Sequence, residues 1–188
     1  MKSNNIIARR LLVMVLTVAV CVTMLGNSSR VSAASAYQIK INKQQNCVTI
    51  YKSGANGKYK PVKAMVCSTG YATPVGTFPL GEKMRWHTLM GPCYGQYCTR
   101  IHGGILFHSV WYYKQTPSSL SASAYNKLGV TASHGCVRLS VADAKWIYDN
   151  VPSGSPVTVY NSSNPGPLGK PSAIKLPSSS TWDPTDVW

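Results

Sequence analysis

"YQIKINKQQNCVTIYKSGANGKYKPVKAMVC", residues 37–67, alternates apolar and polar side chains in successive short runs, and turn signals separate the runs. Residues 37–42 and 47–51 carry period two, which places successive side chains on opposite faces of an extended chain. Asn56-Gly57 is a strong hairpin signal ahead of residues 61–67. The stretch therefore predicts three strands in meander order.

Outward toward the C-terminus the strand signals continue. Gly and Pro punctuate "STGYATPVGTFPLG", residues 68–81, which reads as a loop entering a strand at Thr77-Phe78. "GGILFHSV", residues 103–110, is a short apolar run bounded by glycines, as a strand buried on both faces is, and its end carries His108. One helix is predicted: Ser140 is its cap, with Asp143 three residues on, Val141, Ala144, Tyr148 and Val151 recur at helical spacing, and Pro152 stops it. "PVTVY", residues 156–160, supplies a closing strand. The fold class that follows is mostly β, a β-sandwich or barrel-like mixed sheet with one or two helices packed on it. From Asn161 the composition shifts to Pro, Ser and Gly, so 161–188 reads as a tail, extended or disordered unless Trp182 and Trp188 dock it.

Outward toward the N-terminus, Lys2, Arg9 and Arg10 precede a mainly apolar stretch from Leu11 to Gly26, and Ala33 or Ala36 closes a small-x-small site. Residues 1–36 read as a secretory signal peptide. The alternative is an uncleaved N-terminal anchor, the chain's single route to a membrane, although the stretch is short of the roughly 20 residues that span comfortably. The implied location is extracytoplasmic.

Export changes what cysteines mean, because disulfides persist outside the cytosol. Cys21 leaves with the signal, and Cys47, Cys67, Cys93, Cys98 and Cys136 remain, so one stays unpaired or pairs with another chain. Cys93 and Cys98 bracket the turn-rich "CYGQYC" and suggest a small local bridge, while Cys47 and Cys67 read as buried thiols on strands. Fifteen basic against five acidic residues from Tyr37 onward leave a charge of +10. That field attracts polyanions. The lysines are scattered singly, which argues against nucleic acid and toward anionic cell-wall polymers or peptide carboxylates.

"ASHGCVRLS", residues 132–140, carries the chemistry. A cysteine nucleophile acts as its thiolate, so the ordinary thiol pKa of about 8.5 is expected to be lowered by a cation, an imidazole or a helix N-terminus. Cys136 has Arg138 two residues on, the Ser140 helix one turn later, and histidines within reach of the fold. Gly135 permits close backbone approach, and the Gly135 and Cys136 amides can form an oxyanion hole. A zinc site from His108, His134 and Cys136 lacks the paired ligand spacing such sites use. No metal or other cofactor is implied, and His87 and His102 read as ordinary histidines.

"SHGCVRL" preceded by a distant "FHS" resembles the signature of the L,D-transpeptidase catalytic domain family, whose members cross-link bacterial peptidoglycan. "STGYATPVGTF" and "YGQYCTRIHGGILFHS" are similar to the segments these domains carry ahead of the cysteine, and the resemblance covers residues 37–160. It implies the family's fold. It also implies Cys136 as nucleophile, His108 as general base with its ring held by the Ser109 backbone carbonyl, Gly135 in the oxyanion hole, and Ser133, His134 and Arg138 shaping the site or binding substrate. The reaction implied is cleavage of the bond between an L-centre and the terminal D-alanine of a peptidoglycan stem peptide, through a thioester that a neighbouring stem's amine resolves into a 3→3 cross-link. Resolution by water would make an L,D-carboxypeptidase; a sortase-like transpeptidase and a non-catalytic wall-binding module are the other readings. Acylation by carbapenems and action as a monomer belong to the same expectation. The 24 residues between His108 and Ser133 exceed the family's usual mid-teens spacing, so residues 109–132 are expected to form an insert or lid beside the site.

Overall fold

The structure, a computed structural model, describes residues 35–187. The signal-peptide reading and Cys21 fall outside that range. Within it, nine strands form two sheets. β1 (Tyr37–Asn42), β2 (Cys47–Ser53) and β3 (Tyr59–Val66) are the predicted antiparallel meander. β9 (Pro156–Tyr160) lies parallel to β1 on the other side, and β4 (Gly76–Pro79) pairs antiparallel to β9. The five-stranded order is thus β3-β2-β1-β9-β4. The second sheet runs β5 (Lys83–Leu89), β6 (Cys93–His102), β7 (Ile105–Ser109) and β8 (Val137–Leu139) in chain order. β7 and β8 are parallel and the rest antiparallel.

Period two is what buries this core. Ile39 and Ile41 pair with Ile50 and Val48, and all four are fully buried. At the hairpin the Gly54 N–H donates to the Lys58 carbonyl, and Gly57 takes the left-handed φ of 72° that glycine supplies without strain. Two helices complete the fold: α1 (Ala122–Tyr125) and α2 (Val141–Asn150), capped by Ser140, whose hydroxyl accepts from the Asp143 N–H. α2 turns Val141, Ala144 and Ile147 into the core beside β6, β7 and β8. Its other side reaches the first sheet, where Trp146 packs edge-on against Tyr37 and Asp143 pairs with Lys63 at 3.0 Å.

Three expectations are corrected. "CYGQYC" is no turn: it is the first half of β6, whose five-residue extended separation puts Cys93 and Cys98 roughly 15 Å apart, beyond the ~7 Å Cα limit for a bridge. Both thiols are free, and so are Cys47, Cys67 and Cys136. The segment after β7 is no free lid: Trp111 and Tyr113 at its start line the cleft, while Leu120, Ala122, Ala124, Tyr125 and Leu128 are buried in the core. The C-terminal tail forms no helix or strand among the described residues, yet it is docked. Its anchors are Asp183 and Asp186, both buried, whereas the Trp182 side chain stays 45% exposed and Trp188 lies outside the described residues.

Candidate active site

Parallel pairing of β7 with β8 brings His108 opposite Arg138. Cys136, the residue before β8, therefore lies beside the start of β7, where its Sγ is 3.7 Å from the Gly104 carbonyl oxygen. The loop carrying it is clamped by residues 68–73. Ser68 and Arg138 exchange both backbone hydrogen bonds at 2.9 Å, the Thr69 carbonyl accepts from the Ala132 and Ser133 N–H groups, and the Ala72 N–H donates to the His134 carbonyl at 2.8 Å. Thr73 Oγ1 accepts from the Gly70 N–H at 2.8 Å and donates to the Gly135 carbonyl at 2.7 Å. Gly70 is required by contact: a Cβ there would lie 2.5 Å from backbone atoms of Ser133, His134 and Gly135. Asn46 steadies the clamp from β2's end, its Oδ1 accepting from both the N–H and the hydroxyl of Thr69 at 2.8 Å. Asn46, Gly70 and Thr73 were not singled out as site residues from the sequence; a glycine beside two threonines in the loop before β4 was the available signal.

His108 is 2% exposed. Its Nδ1 lies 2.5 Å from the Ser109 carbonyl oxygen, which makes Nδ1 the protonated nitrogen and leaves Nε2 with the free lone pair. Gly95 on β6 closes the other side of the ring, where a Cβ would stand 3.0 Å from Nδ1. Burial pulls the His108 pKa down to about 4; the Ser109 carbonyl opposes this, and Arg138 and His87 add to it. The imidazole is neutral at pH 7. Burial also raises the Cys136 thiol, against the Leu106 backbone N–H, Arg138 and Arg100, which favour the thiolate. The expectation of a lowered thiol pKa is corrected: desolvation outweighs the cations, and the resting pair is neutral thiol with neutral imidazole. The helix N-terminus gives no help either. Val141 N–H donates to Asp183 Oδ2 and Ala142 N–H to Thr185 Oγ1, so tail residues occupy it.

His108, Cys136 and Arg138 line one cleft of about 590 Å3, along with His87, Cys93, Ser133, His134 and Gly135. Leu89, Met90, Pro92, Ile105 and Trp111 give it an apolar wall, and no residue of 114–132 lines it. Arg138 Nη1 donates to the Ala132 carbonyl at 2.9 Å, while its Nε is buried with no partner. Ser133 Oγ donates to the Cys136 carbonyl at 2.5 Å and so braces the loop, and His134 is exposed. Ser109 serves twice, its carbonyl holding His108 and its Oγ accepting from the Gln96 N–H at 2.9 Å. His102 stacks on Phe78 with ring centroids 4.5 Å apart, outside the cleft.

Residues 36–159 match the family model of the L,D-transpeptidase catalytic domain. The chain belongs to that family. The L,D-transpeptidase fold is also that of solved structures. One is an L,D-transpeptidase from Mycobacterium smegmatis (TM-score 0.53, 23% identity, 67% of this chain and 59% of that one). Another is L,D-transpeptidase 3 from Mycobacterium tuberculosis, solved with a faropenem-derived adduct (TM-score 0.50, 25% identity, 68% of this chain and 61% of that one). Among curated proteins, YciB of Bacillus subtilis strain 168, named for the same activity, is 37% identical over 118 residues, 57% of this chain and 58% of its own length. The chain thus spans somewhat under two-thirds of the length of each of these relatives.

Proposed function

We propose that this L,D-transpeptidase family member acts on peptidoglycan tetrapeptide stems through a thioester on Cys136, with His108 as general base and a 3→3 cross-link as product. The observation that carries the reading is a neutral, buried imidazole with Nδ1 tied to the Ser109 carbonyl, in the same cleft as the single thiol beside Gly135. As Cys136 Sγ attacks the carbonyl carbon between the L-centre and D-alanine, its proton passes to His108 Nε2, so no free thiolate has to be held in a dry site. The Gly135 and Cys136 amide N–H groups donate to the tetrahedral oxyanion. Collapse breaks the C–N bond, the D-alanine amine leaves with the proton from His108, and the acyl group stays on sulfur. A stem amine then attacks the thioester, giving its proton to Nε2 and returning the thiol. Arg138, with its unpartnered Nε, supplies the cation for a substrate carboxylate.

Substrates of this kind lie outside the membrane, in keeping with residues 1–36 as an export signal and with a positive surface facing anionic wall polymers. Among the described residues no helix is long and apolar enough to cross a membrane. Incubation with faropenem tests the nucleophile directly. The expected outcome is a covalent mass increase on the intact protein, located to the Cys136 peptide and lost in Cys136→Ala; a wild-type protein that stays unmodified counts against the reading.

A further inference from the structure

His108 is held from in front by its own strand and from the side by β6, and β6 is held by the tail. Gln96 is fully buried on β6, one residue after the Gly95 that closes over the imidazole. Its N–H donates to Ser109 Oγ at 2.9 Å, and that hydroxyl donates on to the Val110 carbonyl at 2.9 Å. Its side-chain amide joins two charges: Oε1 accepts from Arg85 Nη1 at 2.7 Å, and Nε2 donates to Asp186 Oδ2 at 2.9 Å. The Arg85 guanidinium is in turn stacked on Tyr97, 4.0 Å from the ring centroid.

Asp186 itself is seated. Its N–H donates to the Asp183 carbonyl at 2.9 Å, and its own carbonyl accepts from Trp182 Nε1 at 2.9 Å. Asp183 locks the same turn to α2, and the Leu120 N–H donates to the Thr181 carbonyl. A carboxylate 4% exposed on a Pro- and Ser-rich tail, spent on an uncharged glutamine, is costly unless that glutamine must stay put.

We propose that Asp186 is a positioning residue for the transpeptidation chemistry, acting through Gln96 to fix Gly95 and Ser109 around His108. The inference rests on His108 being the base of the reaction proposed above. Asp186 touches no reacting atom. Its effect is on how tightly β6 seals the imidazole from water. Other groups acting on that ring are His87 on β5 and Arg138 on β8, with Cys136 lining the same cleft, and none of them belongs to the tail.

The test is the pH profile of kcat/KM for a disaccharide-tetrapeptide donor, in the full chain, for wild type, Asp186→Ala and Asp186→Asn, with thermal unfolding recorded beside it. Water admitted to the ring moves its titration back toward the ordinary histidine value, so Asp186→Ala is expected to shift the acid limb upward by about one pH unit, a roughly tenfold loss on that limb with KM unchanged. Asp186→Asn keeps an acceptor for Gln96 Nε2 and is expected within about twofold of wild type. If Asp186→Ala does not fold, Trp182→Phe reads the same seat from a half-exposed position and is expected to move the limb in the same direction. A variant that melts earlier but keeps the wild-type acid limb and kcat would overturn the proposal, leaving Asp186 a strut for the fold. Should His108→Ala retain the wild-type rate, the base assignment itself fails and the positioning role falls with it; that outcome is distinct because it appears without any change in the tail.

Discussion

The proposed chemistry depends on a neutral His108, and the same property makes His108 a liability to the fold in acid. Its pKa is near 6.5 in an unfolded chain and about 4 here, chiefly through burial. The folded pKa is depressed, so the stability associated with it is fully present above pH 6.5 and is lost as pH falls toward 4. The full difference is about 3 kcal/mol. Urea unfolding of wild type and His108→Asn from pH 7.5 to 4 is expected to show the wild type losing that much more than the variant; parallel curves would contradict the assignment. His108, Ser109 and Cys136 were legible because their chemistry is local to short motifs. What surrounds them was not. Gly70 and Gly95 are glycines because of atoms on other strands, at 2.5 and 3.0 Å from where their Cβ atoms would be, and no pattern along the chain announces a tertiary approach. The direction of the Cys136 shift was misjudged for a related reason: Arg138 is visible in the sequence, whereas the burial that outweighs it is a property of the packed cleft.

Among the elements, α2 shows how a segment without regular structure can complete one that has it. The sequence signals for this helix were good, with a cap at Ser140, a stop at Pro152 and buried positions three apart. Its N-terminus was one candidate for lowering the thiol pKa, and its first two N–H groups instead bind Asp183 and Thr185. Asp183 is fully buried, and the Thr185 N–H and hydroxyl both donate to its other oxygen at 2.8 and 2.7 Å. Burial raises its pKa, and the bonds from Thr185 and Val141 oppose that rise. Removing the carboxylate in Asp183→Ala strands the Val141 N–H and frees the tail, so a loss of about 1–3 kcal/mol is expected, read as a lower urea midpoint with an unchanged slope. The meander β1–β3 was the most legible element because its large apolar residues alternate along the chain, Ile39 and Ile41 on β1 facing Ile50 and Val48 on β2 in the core. β6 was the least. Its "CYGQYC" reads as a turn because Gly95 looks like punctuation, while its actual place is a strand interior pressed against His108.

At the scale of the molecule, two sheets and a helix hold a cysteine loop and a histidine strand at one cleft, and the tail wraps behind to fix both β6 and α2. Among the described residues the tail after Asn161 forms no helix or strand, and buried Asp183 and Asp186 are among the groups that dock it, with Asn126 bonding Leu176. That docking escapes composition because a buried carboxylate is identified by its partners, here Gln96 and the start of α2. Charge follows the same logic: all three described ion pairs, Lys63–Asp143, Arg100–Glu82 and Lys145–Asp149, stand apart from the cleft and none of them engages Arg138. The most direct measurement of the central claim is mass spectrometry of the protein incubated with a disaccharide-tetrapeptide, beside Cys136→Ala. Loss of D-alanine with formation of a 3→3 dimer in the wild type, and neither in the variant, is the predicted result. An untouched tetrapeptide, or a dimer that forms equally with Cys136→Ala, would contradict a thioester on Cys136.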